Sequence, residues 1–183
     1  MKTMYLFGSA APPVIQSAEV IASARERGWD VCLGLTPAAA EWLHDDLPGL
    51  EKLTGHPVRS RYKRPGEPDV WPRADVILFA PVTANSLSSW ALCLTSNFVI
   101  GVVAEGIGKG IPVVAMPCVN AAYAAHRRVE RSITELREMG VTVLYGDGGF
   151  VPNPPGERHP YPWDIALAAA EAAVRHDPSA PER

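Results

Sequence analysis

The chain has 183 residues, 47% of them hydrophobic, and a formal net charge of −3 at pH 7. This composition excludes a disordered protein, and the length fits one α/β domain with a sizeable core. The small charge gives no reason to expect a nucleic-acid partner. No apolar stretch is long enough for a membrane span or a signal peptide, so we expect a cytoplasmic protein without a membrane partner. The three cysteines lack Cys-x-x-Cys spacing, so neither a disulfide framework nor a metal site is expected.

Strands and helices alternate along the chain. The apolar runs predict strands at 3–7, 30–35, 57–62, 74–80, 111–116 and 141–145. Helical patterns and stop signals predict helices at 13–28, 37–44, 47–53, one or two between 84 and 104, one at 121–139 and one at 163–174. Proline and glycine make 63–73 and 146–162 irregular loops. The alternation predicts a Rossmann-like three-layer αβα sandwich with a parallel sheet of about six strands. We place one domain at 1–177 and a frayed tail at 178–183.

Small and polar residues follow four of the predicted strands, at 8–10, 36–38, 83–86 and 116–118. Open parallel sheets bind ligands outside the carboxyl ends of their strands, and free N–H groups at a helix start suit a phosphate. Because the four loops lie at one edge of the sheet, their hydroxyls are expected to converge on one phosphate. The alternative interpretations are a simple tight turn at Gly8-Ser9 and a helix cap at Thr36.

The loop Pro81-Val82-Thr83-Ala84-Asn85-Ser86 resembles the Pro-Ala-Ser-Ala-Asn-Thr signature of the homo-oligomeric flavin-containing cysteine decarboxylases. Pro117-Cys118-Val119-Asn120 is similar to the Pro-x-Met-Asn segment of that family. The loops that begin at Gly8 and Thr36 resemble the family's Gly-Ser-Ile-Ala-Ala loop and Thr-x-x-Ala turn. The resemblance covers roughly residues 3 to 150, with the four loops in the family's order.

The resemblance implies an FMN cofactor. Its implied contacts are Gly8, Ser9, Ala10, Thr36, Pro37, Ala38, Thr83, Ala84, Asn85, Ser86, Met116 and Cys118. In the family a neighbouring subunit completes the flavin site, which implies a homo-oligomer, a trimer or a multiple of trimers. The absence of charged residues between Leu87 and Val103 also favours an assembly, although a helix buried within one monomer explains it as well.

The chain departs from the family at two functional positions. Decarboxylating members carry a His shortly before the strand that leads to the signature loop, and Glu67 occupies that place here. The clamp Cys of the coenzyme A decarboxylases has no counterpart in 143–147. We therefore predict Asn120 and Glu67 as the catalytic residues; the alternative for Glu67 is a solvated loop residue.

Three functional interpretations remain open. The first is an FMN-dependent decarboxylase that acts on a thiol-bearing carboxylate or on the C-terminal cysteine of a peptide, in a specialised pathway. The second is a flavin-binding regulatory or carrier protein that has lost catalysis. The third is a flavin prenyltransferase-like enzyme, for which only Arg127, Arg128 and Arg131 offer a basic cluster.

Overall fold

The structure, a computed structural model, describes residues 1–175. Five parallel strands form one sheet in the order β2-β1-β3-β4-β5. Their bounds are β1 Lys2–Gly8, β2 Trp29–Leu35, β3 Val76–Val82, β4 Val113–Pro117 and β5 Thr142–Val143. The predicted α/β sandwich is confirmed, with five strands in place of about six. The predicted tail at 178–183 lies outside the described residues.

Helices cover both faces of the sheet and complete three layers. A short 3-10 helix, Pro12–Gln16, precedes α1. The α-helices are α1 Ser17–Glu26, α2 Pro37–Trp42, α3 Leu47–Thr54, α4 Ala84–Ala91, α5 Phe98–Gly108, α6 Ala121–Ala124, α7 Arg127–Glu138 and α8 Trp163–Arg175. Among residues 1–175, no helix is long and apolar enough to cross a membrane.

Two hydrophobic cores sandwich the sheet. Met4 and Leu6 of β1 face the core that α1 and α8 cover, whereas Phe7 faces the core under α4, α5 and α7. Successive side chains of a strand point to opposite faces, so a strand covered on both sides must be apolar throughout. All seven residues of β3 are buried, which explains its uninterrupted apolar sequence.

The predicted strand at 57–62 is wrong. Only Arg59 pairs with the sheet, in an isolated parallel bridge to Gly34 of the edge strand β2. Pro57 has no amide hydrogen for a ladder, and the Arg59 guanidinium lies 4.2 Å from the ring centre of Phe98. The segment therefore leaves the sheet edge and packs across its face, which accounts for the missing sixth strand.

The predicted helix at 121–139 is two helices. His126 is extended (φ −76°, ψ 124°), and its Nδ1 accepts a hydrogen bond of 3.1 Å from the Arg128 amide. This side-chain cap starts a new helix, which the apolar stripe alone does not reveal. Gly140, at φ +89°, follows the end of α7 as predicted.

Gly34 packs against the second core with no room for a side chain. A Cβ built there would lie 2.4 Å from the Phe7 ring, whereas a Cβ at Gly49 in α3 would meet nothing within 4 Å. We expect Gly34→Ala to lower the free energy of unfolding by about 1–3 kcal/mol. Gly49→Ala should raise it by about 0.5–1 kcal/mol, because alanine favours the helix. Urea unfolding at fixed protein concentration measures the free energy of unfolding of both variants. Equal stability of the two would contradict the close contact between Gly34 and the Phe7 ring.

Candidate cofactor and active site

The candidate site lies where the strand order reverses. The chain passes from β1 to β2 on one side, and β3 pairs with β1 on the other. Such a switch point leaves a crevice at the carboxyl ends of the two central strands, which is the usual ligand site of open parallel sheets. The loops after β1 and β3 meet there: Ser9 Oγ donates to Ser86 Oγ over 2.9 Å, and Thr83 Oγ1 donates to the same oxygen over 3.2 Å.

Backbone hydrogen bonds fix these loops to the ends of the strands. The Ser9 amide donates to the Pro81 carbonyl at 2.9 Å, and the Cys118 amide donates to the Val82 carbonyl at 2.8 Å. The Thr36 amide donates to the Gly8 carbonyl, also at 2.9 Å. The three bonds tie the loops after β2, β1, β3 and β4 into one continuous surface at the edge of the sheet.

Some amide groups in these loops are free to bind an anion. The Thr83 side chain caps α4 by accepting a hydrogen bond from the Ser86 amide at 3.3 Å. The amides of Ala10, Ala84 and Asn85 have no hydrogen-bond acceptor among residues 1–175. Converging N–H groups at the start of a helix form a binding site for a phosphate or carboxylate.

An open cavity of about 720 Å³ lies over these loops. Six of the ten predicted cofactor and catalytic residues at the ends of β1, β3 and β4 line it directly. They are Ala10, Thr83, Ala84, Asn85, Cys118 and Asn120. Ser9 and Ser86 are buried behind this wall and hold it through their mutual hydrogen bond, whereas Gly8 and Met116 are buried at the strand ends. The predicted loops after β1, β3 and β4 therefore meet at one cavity.

The loop after β2 does not reach the cavity. Thr36, Pro37 and Ala38 are not among the residues that line it. Thr36 is buried but makes no side-chain cap, and Pro37 and Ala38 are exposed. The contact of these three residues with the cofactor remains a prediction.

Segment 146–162, here named the clamp, forms the outer wall of the cavity. It has no helix or regular strand, as predicted. Phe150 and Tyr161 anchor it in the core, and the Tyr161 hydroxyl donates to the Met116 carbonyl at the end of β4. The Asn153 carbonyl accepts a 2.8 Å hydrogen bond from the Ala121 amide. The clamp adds five polar side chains that sequence reasoning did not assign to the site: Asn153, Glu157, Arg158, His159 and Tyr161. Tyr123 of α6 also lines the cavity and was not assigned to the site.

The Asn120 side chain caps a helix through its oxygen and leaves its nitrogen available as a hydrogen-bond donor. Its Oδ1 caps α6 by accepting a 3.0 Å hydrogen bond from the Tyr123 amide. Its side-chain nitrogen has no acceptor among residues 1–175, and the residue lines the cavity. The cap fixes the side-chain orientation, so the amide N–H₂ group is available to a ligand.

Glu67 does not line the cavity. The residue is exposed, and its Oε2 accepts a 2.9 Å hydrogen bond from the Arg64 amide. This local turn holds the carboxylate on the proline-rich loop. The alternative interpretation, a solvated loop residue, describes these surroundings, and the catalytic role of Glu67 stays a prediction.

Burial keeps two weak acids of the cavity neutral. Desolvation raises the pKa of the Cys118 thiol to about 11. Burial, followed by the proximity of Cys118, raises the pKa of the Tyr161 hydroxyl well above its usual value. Both groups therefore remain protonated at neutral pH, and Tyr161 stays a hydrogen-bond donor to Met116.

The raised pKa of Cys118 predicts low reactivity toward iodoacetamide. Only the thiolate is alkylated, so at pH 8 the exposed Cys93 should react well before Cys118. The alkylation rate of Cys118 should rise as the pH approaches about 11. Because the neutral thiol is favoured in the fold, its contribution to stability is lost as the pH rises from the unfolded pKa toward that value. Peptide mass spectrometry checks the order, and equal labelling at pH 8 would contradict it.

Metal ligands are not grouped anywhere in residues 1–175: no cluster of three or more His, Cys, Asp or Glu residues could hold a metal ion. The fold and the site together define a parallel α/β protein with an open cleft at its switch point. The family model described as Flavoprotein matches residues 2–173, and the chain belongs to this family.

Solved structures with the same fold cover almost the whole chain. The FMN-dependent cysteine decarboxylase SpaF has 19% sequence identity and a TM-score of 0.75, covering 96% of this chain and 98% of that chain. The FMN-dependent cysteine decarboxylase TvaF from thioviridamide biosynthesis has 20% identity and a TM-score of 0.71, with coverage of 96% and 99%. MrsD from a Bacillus species has 19% identity and a TM-score of 0.71, with coverage of 94% and 96%.

At these identities, the similarity establishes a shared fold. No match to this chain is found among curated proteins. The resemblance inferred from the four loops is thus confirmed at the level of family and fold.

Proposed function

We propose that the cavity binds FMN. The observation that carries this proposal is the set of unpaired amides of Ala10, Ala84 and Asn85 beside the Ser9–Ser86 hydroxyl pair. Such donors suit the terminal phosphate of the cofactor without a lysine. The flat ring would lie against the apolar wall near Cys118, with the Asn85 amide at its polar edge. The FMN-dependent enzymes of the same fold support this assignment.

We further propose that a second subunit completes the site. Ile15 and Tyr123 line the cavity, yet they are 68% and 60% exposed. Most apolar residues between Leu87 and Val103 are buried within the protomer, which supports the alternative explanation for that stretch. Leu92 and Leu94 are exceptions at 50% and 55% exposure. An assembly of three, or a multiple of three, would cover such apolar surface, and light scattering tests its size.

The reaction we propose is the oxidative decarboxylation of a thiol-bearing carboxylate, such as the C-terminal cysteine of a peptide. When bound, FMN supplies the two-electron oxidation that this chemistry requires. The open cavity admits an extended chain end, and the Asn120 side-chain nitrogen can donate to the substrate beside the cofactor. Anchored at Phe150 and Tyr161, the clamp forms the outer wall of this cavity.

A prenyl-phosphate substrate is less well supported. Neither Arg127, Arg128 nor Arg131 lines the cavity. Arg128 forms an ion pair with Glu135 and a 3.0 Å hydrogen bond to Ser132, which makes it part of the surface of α7. Helix solvation accounts for this group of arginines.

The test of function is product analysis with cysteine-terminated peptides. The FMN-loaded protein should release carbon dioxide and leave a peptide that has lost one CO₂ and two hydrogens. A matched peptide ending in serine should remain intact, because it has no thiol to oxidise. Bound FMN with no change in any cysteine-terminated peptide or small thiol acid would favour the carrier interpretation over the enzyme.

A further inference from the structure

The outer wall of the cavity carries an imidazole that the predicted mechanism does not use. Among residues 1–175, His159 is the only histidine that lines the cavity. Its Nε2 lies 3.3 Å from the Glu157 carboxylate, which lines the same wall. Paired imidazole and carboxylate groups are a common arrangement for moving a proton, because the carboxylate orients the ring and stabilises its charged form.

The fold fixes the position of this pair. Two residues after His159, the buried Tyr161 donates a hydrogen bond to the Met116 carbonyl, and its ring packs 4.9 Å from that of Trp163. Six residues before it, the Asn153 carbonyl is bonded to α6 through the Ala121 amide. The exposed pair therefore sits on a short span held at both ends over the cavity.

We propose that His159, oriented by Glu157, accepts the proton of the substrate thiol. The inference rests on the proposed function and assigns its acid–base group. Glu157 accepts from Nε2–H, so the lone pair of Nδ1 is free for the thiol. The S–H bond breaks, an N–H bond forms at Nδ1, and the electron pair stays on sulfur as a thiolate. FMN, when bound, would supply the two-electron oxidant for the reaction that follows.

The other ionisable groups of the cavity suit this role less well. Glu157 and Arg158 flank His159 on the clamp, Tyr123 faces it from α6, and Cys118 and Tyr161 complete the wall. Cys118 and Tyr161 hold their own protons because burial raises the pKa of both groups. An arginine does not release its proton in proteins. Imidazole is the side chain whose ordinary ionisation falls between pH 5 and 8.

The proposal differs from the sequence-based assignment of acid–base work to Glu67. That carboxylate is exposed and bonded to the Arg64 amide, and it does not line the cavity. His159 instead shares the cavity with Asn120 and Cys118. The two residues are therefore rival candidates, and one experiment separates them.

The experiment uses a peptide that ends in penicillamine, in which two methyl groups replace the hydrogens next to the thiol. This probe cannot transfer a hydride, so it binds without reacting. A thiolate beside an oxidised flavin gives a long-wavelength charge-transfer absorption, whose pH midpoint reports the transfer of the proton. In the FMN-loaded protein we expect a midpoint at least one pH unit below the ordinary thiol value of ~8.5. His159→Gln should return it to about 8.5, whereas Glu67→Gln should leave it low.

Turnover provides the second readout. With a cysteine-terminated peptide, His159→Gln should lower kcat by about 10²- to 10⁴-fold with little change in KM. Because the His159 side chain is exposed, its replacement should leave the fold intact, and unchanged FMN absorbance checks this directly. An unchanged midpoint in His159→Gln, or a rise in Glu67→Gln alone, would overturn the inference while the proposed function stands. Failure of the wild-type protein to bind FMN would overturn both.

Discussion

Replacing Asn120 with alanine is expected to lower kcat/KM for a cysteine-terminated peptide by about 30- to 1000-fold, or roughly 2–4 kcal/mol, while FMN stays bound. The side-chain nitrogen of Asn120 has no acceptor among residues 1–175 and the residue lines the cavity, so its loss removes a preoriented donor. The proposed phosphate donors at Ala10 and Ala84 lie on other loops and should be unaffected. Steady-state kinetics and the flavin absorbance of the same sample measure the two effects.

The cap of α6 requires a control, because alanine also removes the oxygen that binds the Tyr123 amide. Asn120→Ser keeps a capping oxygen, and serine is as good a helix cap as asparagine. If Asn120 acts on the substrate, the serine variant should remain almost as inactive as the alanine variant. Near wild-type activity of Asn120→Ser would show that the residue serves only the helix start.

Removing the Tyr161 side chain is expected to give the largest loss of stability. Tyr161 is 7% exposed, packs on Phe150 with ring centres 5.6 Å apart, and donates to the Met116 carbonyl. Tyr161→Ala should lower the free energy of unfolding by about 3–5 kcal/mol, because it leaves a cavity and an unpaired carbonyl. Tyr161→Phe keeps the ring and should lose only about 1–2 kcal/mol.

Tyr123→Ala is the matched control for this prediction, since that tyrosine is 60% exposed and should change stability by no more than about 0.5 kcal/mol. Denaturant unfolding at one protein concentration compares the three variants. A Tyr161→Ala protein as stable as Tyr123→Ala would mean that the clamp is not anchored through the core.

The sequence predicts most of the fold because both periodicity and end signals are strong. The apolar run that became β3 and the charged and apolar faces of α7 each correspond to a real element. The sequence does not show where a tertiary contact or a side-chain cap overrides the local pattern. Only Arg59 of the segment 57–62 pairs with the sheet edge, and its guanidinium lies on the Phe98 ring. The His126 cap divides a helix whose apolar stripe looks continuous.

Some residues of the candidate site can likewise be predicted from the sequence, and others cannot. Ser9, Thr83 and Ser86 follow strands, so topology alone brings them together, and their hydroxyls form one hydrogen-bonded group. The clamp has no repeating pattern, so only its anchors place Arg158 and His159 on the cavity. The prediction for Glu67 rests on counting residues back from a strand. Such a count gives a position in the sequence but not the place of the side chain in space.

The most direct test of the central claim is a titration of the purified protein with FMN, followed by the flavin absorption near ~450 nm. The wild-type protein should bind FMN, and Ser86→Ala should weaken binding about tenfold or more, because Ser86 joins the hydroxyls of Ser9 and Thr83 at the proposed phosphate site. Ser88→Ala, on the same helix but outside the cavity, should bind FMN like the wild type. No FMN binding by the wild-type protein, or equal affinity in the two variants, would contradict the account.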